Sequence, residues 1–452
     1  MEYRSFTATE TPVIGTAPRW QKRHTLVAFC FAATLVCYLD RVNMSVAAIA
    51  LQEQFGWSEK TKGAVLSAFF LGYLVMQVPS ALLANRYGGK LVLGLAVAWW
   101  SAFTMLTPAA ASASLLMLVV TRVALGLGEA ATFPSIFSLY RDWIPPNERS
   151  RAVTITMAAA HLGTLAALLA TGWIVARYGW PVAFYGFGLL GAIWALLWRR
   201  SVALRPELHC SISPEERVLL APLAARHDLP PGVPWKRLLS KRAVWALMAS
   251  HFCVNWIMYM LLAWMPSYFR TTLGVSISGA ALYAAAPYLV SFGCAVGGGW
   301  IADHLLRRGW SATRVRKSMQ GVGLLGAASA LLLARGASSA PEAVLAMCAS
   351  LGFLALTFSG TAAAVLEIAP RYSDVLSGLS NTLGTVPGVI AVAATGWLVD
   401  ATHSYDAALL ATAAIGGVGA LVWLAWGSAS NVLDDAAAAA GMPRHGREAR
   451  RG

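Results

Sequence analysis

The sequence predicts an all-α integral membrane protein, with twelve transmembrane helices in two pseudo-symmetric six-helix bundles. Three observations predict it. Of 452 residues, 57% are hydrophobic and 12% charged, against roughly 45–50% and about 25% in soluble domains, an excess of apolar surface that a water-soluble fold could not bury. Apolar runs long enough to cross about 30 Å of hydrocarbon, roughly 20 residues each, recur about twelve times. Short motifs also repeat at matching places in the two halves of the chain, as in carriers built by duplication.

In order, the runs fall at 25–51, 61–84, 89–111, 113–140, 150–176 and 180–199, then 242–272, 279–304, 316–335, 341–369, 373–400 and 405–428. The long gap contains Pro206, Pro214, Pro222, Pro230, Pro231 and Pro234, which suits a linker rather than a buried helix. The organisation is therefore a terminal segment 1–24, a bundle 25–199, a linker 200–241, a bundle 242–428 and a tail 429–452. The repeat pairs Thr171-Gly172-Trp173-Ile174-Val175 with Thr395-Gly396-Trp397-Leu398-Val399, and Ala84-Asn85-Arg86 with Ala302-Asp303-His304.

The net charge of +14 does not point to nucleic acid, because the Lys and Arg residues lie in short gaps between apolar runs and not along one face of a folded domain. They concentrate in the terminal segment, alternate loops, the linker and the tail, so the positive-inside rule puts both termini in the cytoplasm. The loop after the first run, Gln52 to Lys60, is short, and a bacterial inner membrane is the simplest expectation. The six cysteines have no paired or metal-type spacing. No nucleotide loop, metal cluster or nucleophile with a base is present, so neither an enzyme nor a cofactor is expected.

Charges inside the apolar runs are the candidate functional residues, since an ionised group at the bilayer centre costs roughly 2.5–3.5 kcal/mol on insertion scales. Asp40 and Arg41 sit deep in the first run. Arg122 and Glu129, seven residues apart in the fourth, share a helix face, and Gly126 and Gly128 between them permit close helix approach. Two guanidinium groups at the midplane would attract carboxylate through their planar fork of donors. A buried carboxyl such as Glu129, its protonation set by desolvation against a nearby guanidinium, can carry a proton. Tyr38, Tyr73, His161, Ser359, Thr361 and Asn381 are further polar groups inside runs; each alone is as well explained by an interhelical hydrogen bond.

The stretch Tyr38-Leu39-Asp40-Arg41-Val42-Asn43-Met44-Ser45-Val46 resembles the major facilitator superfamily, specifically its anion:cation symporter branch. Arg122-Val123-Ala124-Leu125-Gly126-Leu127-Gly128-Glu129-Ala130, Trp143 to Ala152, Leu366 to Tyr372 and Gly378 to Thr382 resemble it too. The branch includes hexonate permeases, sialin and vesicular glutamate transporters. The resemblance implies the major facilitator fold and proton-coupled uptake, by alternating access, of a small organic anion such as a sugar acid. It implies proton coupling at Asp40 and Glu129 and a substrate site lined by Tyr38, Arg41, Tyr73 and Asn381. His161 stands where the hexonate permeases carry an amide, and Asn85, beside Arg86, stands where the gating motif carries Asp. The expected partners are the anion, a proton and the bilayer, with a monomeric carrier. An organic-phosphate antiporter, a drug efflux carrier and a non-transporting sensor are the alternatives.

Overall fold

The computed structural model describes residues 20–224, 234–369 and 372–431. Pro230, Pro231, Arg371 and most of the terminal segment and tail lie outside them. Among the described residues, twelve helices are long and apolar enough to cross a membrane. They are α1 (Lys22–Phe55), α2 (Glu59–Tyr87), α3 (Gly89–Ala113), α4 (Leu115–Trp143), α5 (Pro146–Tyr178), α6 (Trp180–Ser201), α7 (Arg242–Leu273), α8 (Ile277–Arg307), α9 (Ala312–Arg335), α10 (Ala340–Ile368), α11 (Ser373–Thr402) and α12 (Asp406–Trp426). Most outrun the apolar stretch that predicted them, because polar residues cap the ends. Ser58, Ser114, Ser276 and Ser311 each accept a hydrogen bond from the backbone N–H three residues on. The loop expected from Gln52 to Lys60 accordingly shrinks to Gly56-Trp57-Ser58, with Gly56 in the left-handed region (φ 65°) that glycine adopts most easily.

Two helices at corresponding positions in the halves are discontinuous. α4 breaks at Ala130-Ala131, directly after Glu129, where the Thr132 hydroxyl donates to the Glu129 carbonyl at 2.8 Å. α10 passes through a 3₁₀ turn, Leu356–Ser359, and restarts at Thr361, whose N–H donates to Gln320 Oε1 at 3.2 Å. Backbone groups released inside a bilayer need such partners, and broken helices are tolerated where they border a cavity.

The halves meet along α2 against α11 and α5 against α8, and the sequence repeat explains why. A Cβ on Gly172 of α5 would lie 2.5 Å from Ala281 of α8, and one on Gly396 of α11 would lie 2.6 Å from the Glu59 carbonyl of α2. The two motifs are thus the same crossing point made twice. Trp173 and Trp397, next to these glycines, are 58% and 56% exposed, as befits interfacial tryptophan.

Among the described residues, polar and ring contacts between the halves run from the side opposite the termini only as far as the middle. On that far side Arg270 donates to Glu53 at 2.9 Å and Asp400 accepts from the Glu59 N–H at 3.1 Å. Deeper in, Phe70 and Tyr259 approach to 4.6 Å between centroids, Thr385 donates to Gln77 at 3.1 Å, and His161 meets the edges of Phe292 and Phe358. Beyond this level Asn381 is exposed, and a Cβ on Gly378 would touch nothing. The passage is closed on the far side and open toward the termini.

Lys62 of α2 is the core of that closure. Its ammonium, on a side chain 1% exposed, lies 2.8 Å from Glu59, donates to Gln52 of α1 at 2.6 Å and sits 5.0 Å over the ring of Trp264 of α7. A desolvated cation–π contact contributes about 0.5–2 kcal/mol. Lys62→Met is therefore expected to raise the rate at which a far-side thiol reagent labels a cysteine placed at Ala263 by roughly 2- to 30-fold. An unchanged labelling rate would remove Lys62 from the gate.

On the terminal side the linker is docked and partly helical. Glu216, in the helix Pro214–Ala224, accepts from the backbone N–H groups of Lys22 and Arg23 at 3.0 and 2.9 Å, placing a negative charge at the start of α1. The Arg23 guanidinium pairs with Glu148 of α5 at 2.8 Å.

Candidate transport site

Halfway along α1, Arg41 projects into the first bundle with its side chain 6% exposed, so it does not reach water by snorkelling. Its guanidinium packs against the rings of Tyr38, Tyr73 and Phe69, 4.8, 4.9 and 5.2 Å from their centroids. Nε donates to a single oxygen of Glu129, Oε2, at 3.1 Å, and Nη2 lies 3.1 Å from the same oxygen as an ion pair. The fork that could hold two oxygens of an anion is thus spent on one, and Glu129 Oε1 has no partner.

Beside this pair lies a second polar nest. Asp40 is 1% exposed, has no partner on either carboxylate oxygen, and stands next to Trp100 and Thr104 of α3. Arg122 is 2% exposed, lies over the Phe69 ring at 5.4 Å, and leaves Nε and Nη1 unpaired. Arg122 therefore does not reach the interface. Arg41 and Arg122 both line a small cavity, together with Ser45, Leu66, Phe69 and Leu262.

Glycines bring these groups together. A Cβ on Gly126 of α4 would lie 2.0 Å from the Phe69 carbonyl of α2, and one on Gly72 would lie 2.0 Å from the Val123 carbonyl. The backbones of α2 and α4 are in contact, which sets Tyr73 and Phe69 against Arg41 and Arg122. Gly126→Ala is expected to force the helices apart and destabilise the protein by about 1–3 kcal/mol or more. A melting temperature in detergent equal to that of the unaltered protein would contradict this.

Tyr38, Arg41, Tyr73 and Glu129 therefore form one cluster, with Asp40 and Arg122 adjoining it. His161 lies at the junction of the halves, its Nδ1 3.3 Å from the Met157 carbonyl. Asn381 faces open space on the α11 wall. Ser359 is half-buried, and its carbonyl accepts from Arg316 at 3.1 Å. Thr361 turns away from the cavity, because its hydroxyl and N–H both engage Gln320, whose amide donates to Ser250 inside the second bundle. Of the gating residues, Asn85 accepts from Arg141 at 3.3 Å, Arg86 lies over Tyr87, and Asp303 is exposed at the end of α8.

Several site residues escaped the sequence reading. Cys37, one of six cysteines without paired or metal-type spacing, has its sulfur 3.3 Å from Glu129 Oε2. In the second bundle His251 bonds Ser380 at 2.8 Å and Asn255 donates to the Gly384 carbonyl at 2.7 Å. The spacing of His251 and Asn255, four residues apart inside an apolar run, was the available signal. Gln77, likewise polar within a run, gave the only hint of the Thr385 contact.

A buried ion pair flanked by rings, set inside the first of two six-helix halves that are joined on one side, is the architecture of a membrane carrier. The family model described as Major Facilitator Superfamily matches residues 30–391, and the chain belongs to that superfamily. It is a transport protein and not an enzyme. It is 40% identical over 421 residues to "Probable anion transporter 4, chloroplastic" of Oryza sativa subsp. japonica, covering 92% of this chain and 71% of that one. Two Arabidopsis thaliana proteins are also similar. "Sodium-dependent phosphate transport protein 1, chloroplastic" is 38% identical, covering 94% of this chain and 84% of its own, and "Ascorbate transporter, chloroplastic" is 39% identical, covering 92% and 78%. Among solved structures, a bacterial homolog of the human lysosomal transporter Spinster superposes with a TM-score of 0.73 at 20% identity, over 91% of this chain and 97% of that one. The D-xylose-proton symporter gives 0.69 at 15%, over 90% and 98%.

These relatives overturn the expectation of a bacterial inner membrane, since they are chloroplast proteins of plants. A three-residue turn suits any bilayer equally.

Proposed function

We propose that the protein is a proton-coupled carrier of a small anion bearing at least two neighbouring oxygens, acting in a plastid membrane as its relatives do. The observation that carries this reading is the Arg41 fork closed on one oxygen of Glu129 in the buried middle of the first bundle. Protonation of Glu129 removes the competing negative charge. Arg41 is then free to take the anion through two parallel hydrogen bonds, a better match to its geometry than the single oxygen it holds now. Tyr38 and Tyr73 flank the bound anion, Asn381 closes on it from the α11 wall and His161 from α5, and Arg122 adds positive potential from behind. Rocking about the Gly172 and Gly396 crossings then exposes the site to the far side.

Ascorbate and sugar acids fit this chemistry, and the ascorbate-transporting relative supports it. A sodium-driven phosphate carrier is the second reading, favoured by the sodium-dependent phosphate relative and by the unpaired Arg122 guanidinium, a second cation suited to a more highly charged oxyanion. Uptake into proteoliposomes of ascorbate, gluconate and phosphate, each under an imposed proton or sodium gradient, separates the two. Accumulation driven by protons supports the first reading. Accumulation driven by sodium alone selects the second.

A further inference from the structure

The Glu129 carboxyl is gripped asymmetrically. Arg41 Nε and Nη2 and the Cys37 sulfur all lie on Oε2, at 3.1, 3.1 and 3.3 Å, while Oε1 is buried and bare. Cys37 is one turn before Arg41 on the same face of α1, is fully buried, and is approached by Arg41 Nη2 at 3.8 Å and by the Thr132 hydroxyl at 3.9 Å. Arg41 Nη2 is a donor with no lone pair to accept from the thiol, so the S–H is directed to the carboxylate. Thr132 also satisfies the Glu129 carbonyl at the α4 break. One helix end, one thiol and one carboxyl are thereby locked in a fixed relation.

We propose that Cys37 is a positioning residue for Glu129, its thiol pinning Oε2 toward Arg41 so that Oε1 is the oxygen that accepts and releases the transported proton. This inference deepens the proton-coupled reading above and rests on it. The thiol keeps its own proton throughout. The arriving proton forms a bond to Oε1, the carboxyl becomes neutral, and return of that proton restores the carboxylate. The charged and titratable groups facing Glu129 are Cys37, Tyr38, Asp40 and Arg41 from α1 and Arg122 from α4, while Tyr73 of α2 and Tyr259 of α7 face Arg41. Among these, Arg41 and Cys37 have a polar atom within hydrogen-bonding distance of the carboxyl.

The test uses Cys37→Ser, which keeps a donor, and Cys37→Ala, which removes it. In the first measurement, the infrared S–H stretching band of Cys37 is isolated by subtracting the spectrum of Cys37→Ser from that of the unaltered protein. In Glu129→Gln that band is expected to move to higher wavenumber, since a neutral amide accepts more weakly than a carboxylate. In the second, Cys37→Ala is expected to displace the midpoint of the pH dependence of uptake and to slow gradient-driven uptake several-fold, while labelled-for-unlabelled exchange stays within about twofold. Cys37→Ser is expected to restore both. A merely space-filling role would alter exchange and driven uptake together and leave the S–H band unmoved by Glu129→Gln. A band unaffected by Glu129→Gln, or a Cys37→Ala pH profile equal to that of the unaltered protein, overturns the proposal. If the unaltered protein does not respond to a proton gradient at all, the proton-coupled reading has failed, and the infrared measurement still decides whether Cys37 bonds Glu129.

Discussion

Arg41→Ala is expected to weaken anion binding by at least about 30-fold. Removing one member of a buried, hydrogen-bonded charge pair costs about 2–5 kcal/mol, and each 1.4 kcal/mol is tenfold in affinity. The side chain also holds Glu129, so its loss leaves a carboxyl inside the bundle without its main partner, a penalty of about 3–5 kcal/mol against folding. The double variant Arg41→Ala with Glu129→Gln removes that penalty and isolates the effect on binding. Arg41→Lys restores charge but not the planar fork, and is expected to recover affinity only in part. Titration calorimetry on purified protein checks all three. Unaltered affinity in the double variant would take Arg41 out of the site.

Glu129→Gln is expected to separate two activities that are joined in the natural carrier. Glutamine has the shape of a protonated glutamic acid and leaves Arg41 without a competing charge, so the anion still binds and the loaded carrier still changes sides. Exchange of labelled for unlabelled anion therefore survives. Accumulation against a gradient fails, because no proton is carried. Asp40→Asn is the comparison. Asp40 lies in the neighbouring nest, is buried, and has neither carboxylate oxygen bonded to Arg41, so it is expected to slow transport without producing this split. If the two carboxyls titrate together, both variants are impaired. Full proton-driven accumulation by Glu129→Gln, at matched protein levels, would rule the assignment out.

The fold was legible because a bilayer leaves the chain few options. Apolar length sets each helix, and satisfied backbone groups require helices in the first place. The repeat was legible for a reason visible only in the structure, since Gly172 and Gly396 are where the halves touch. Within the site, the charges were readable because an ionised group in an apolar run is costly and rare. Arg41 and Glu129 stood out for that reason, but their mutual pairing did not, because helical spacing says nothing about which helices are neighbours. Cys37 was overlooked because a buried thiol is ordinarily a small hydrophobe, and only its distance to Glu129 gives it a role. Lys62 was overlooked for a different reason. From spacing alone it belonged to the mouth of a loop, whereas the short turn at Gly56 draws it inside the closed gate. Thr361 was grouped with the site because it is polar within a run, yet its face of α10 turns to Gln320.

The central claim is that a proton on Glu129 releases Arg41 to the anion, and the most direct measurement is the number of protons taken up when the anion binds. Calorimetric titrations of the purified carrier, at a pH where free Glu129 is ionised and in buffers of different ionisation enthalpy, give that number. The account predicts uptake of about one proton per anion in the unaltered protein and close to none in Glu129→Gln, because binding and protonation are linked through the same arginine. Anion binding with no proton uptake in the unaltered protein, or with equal uptake in both, would contradict it.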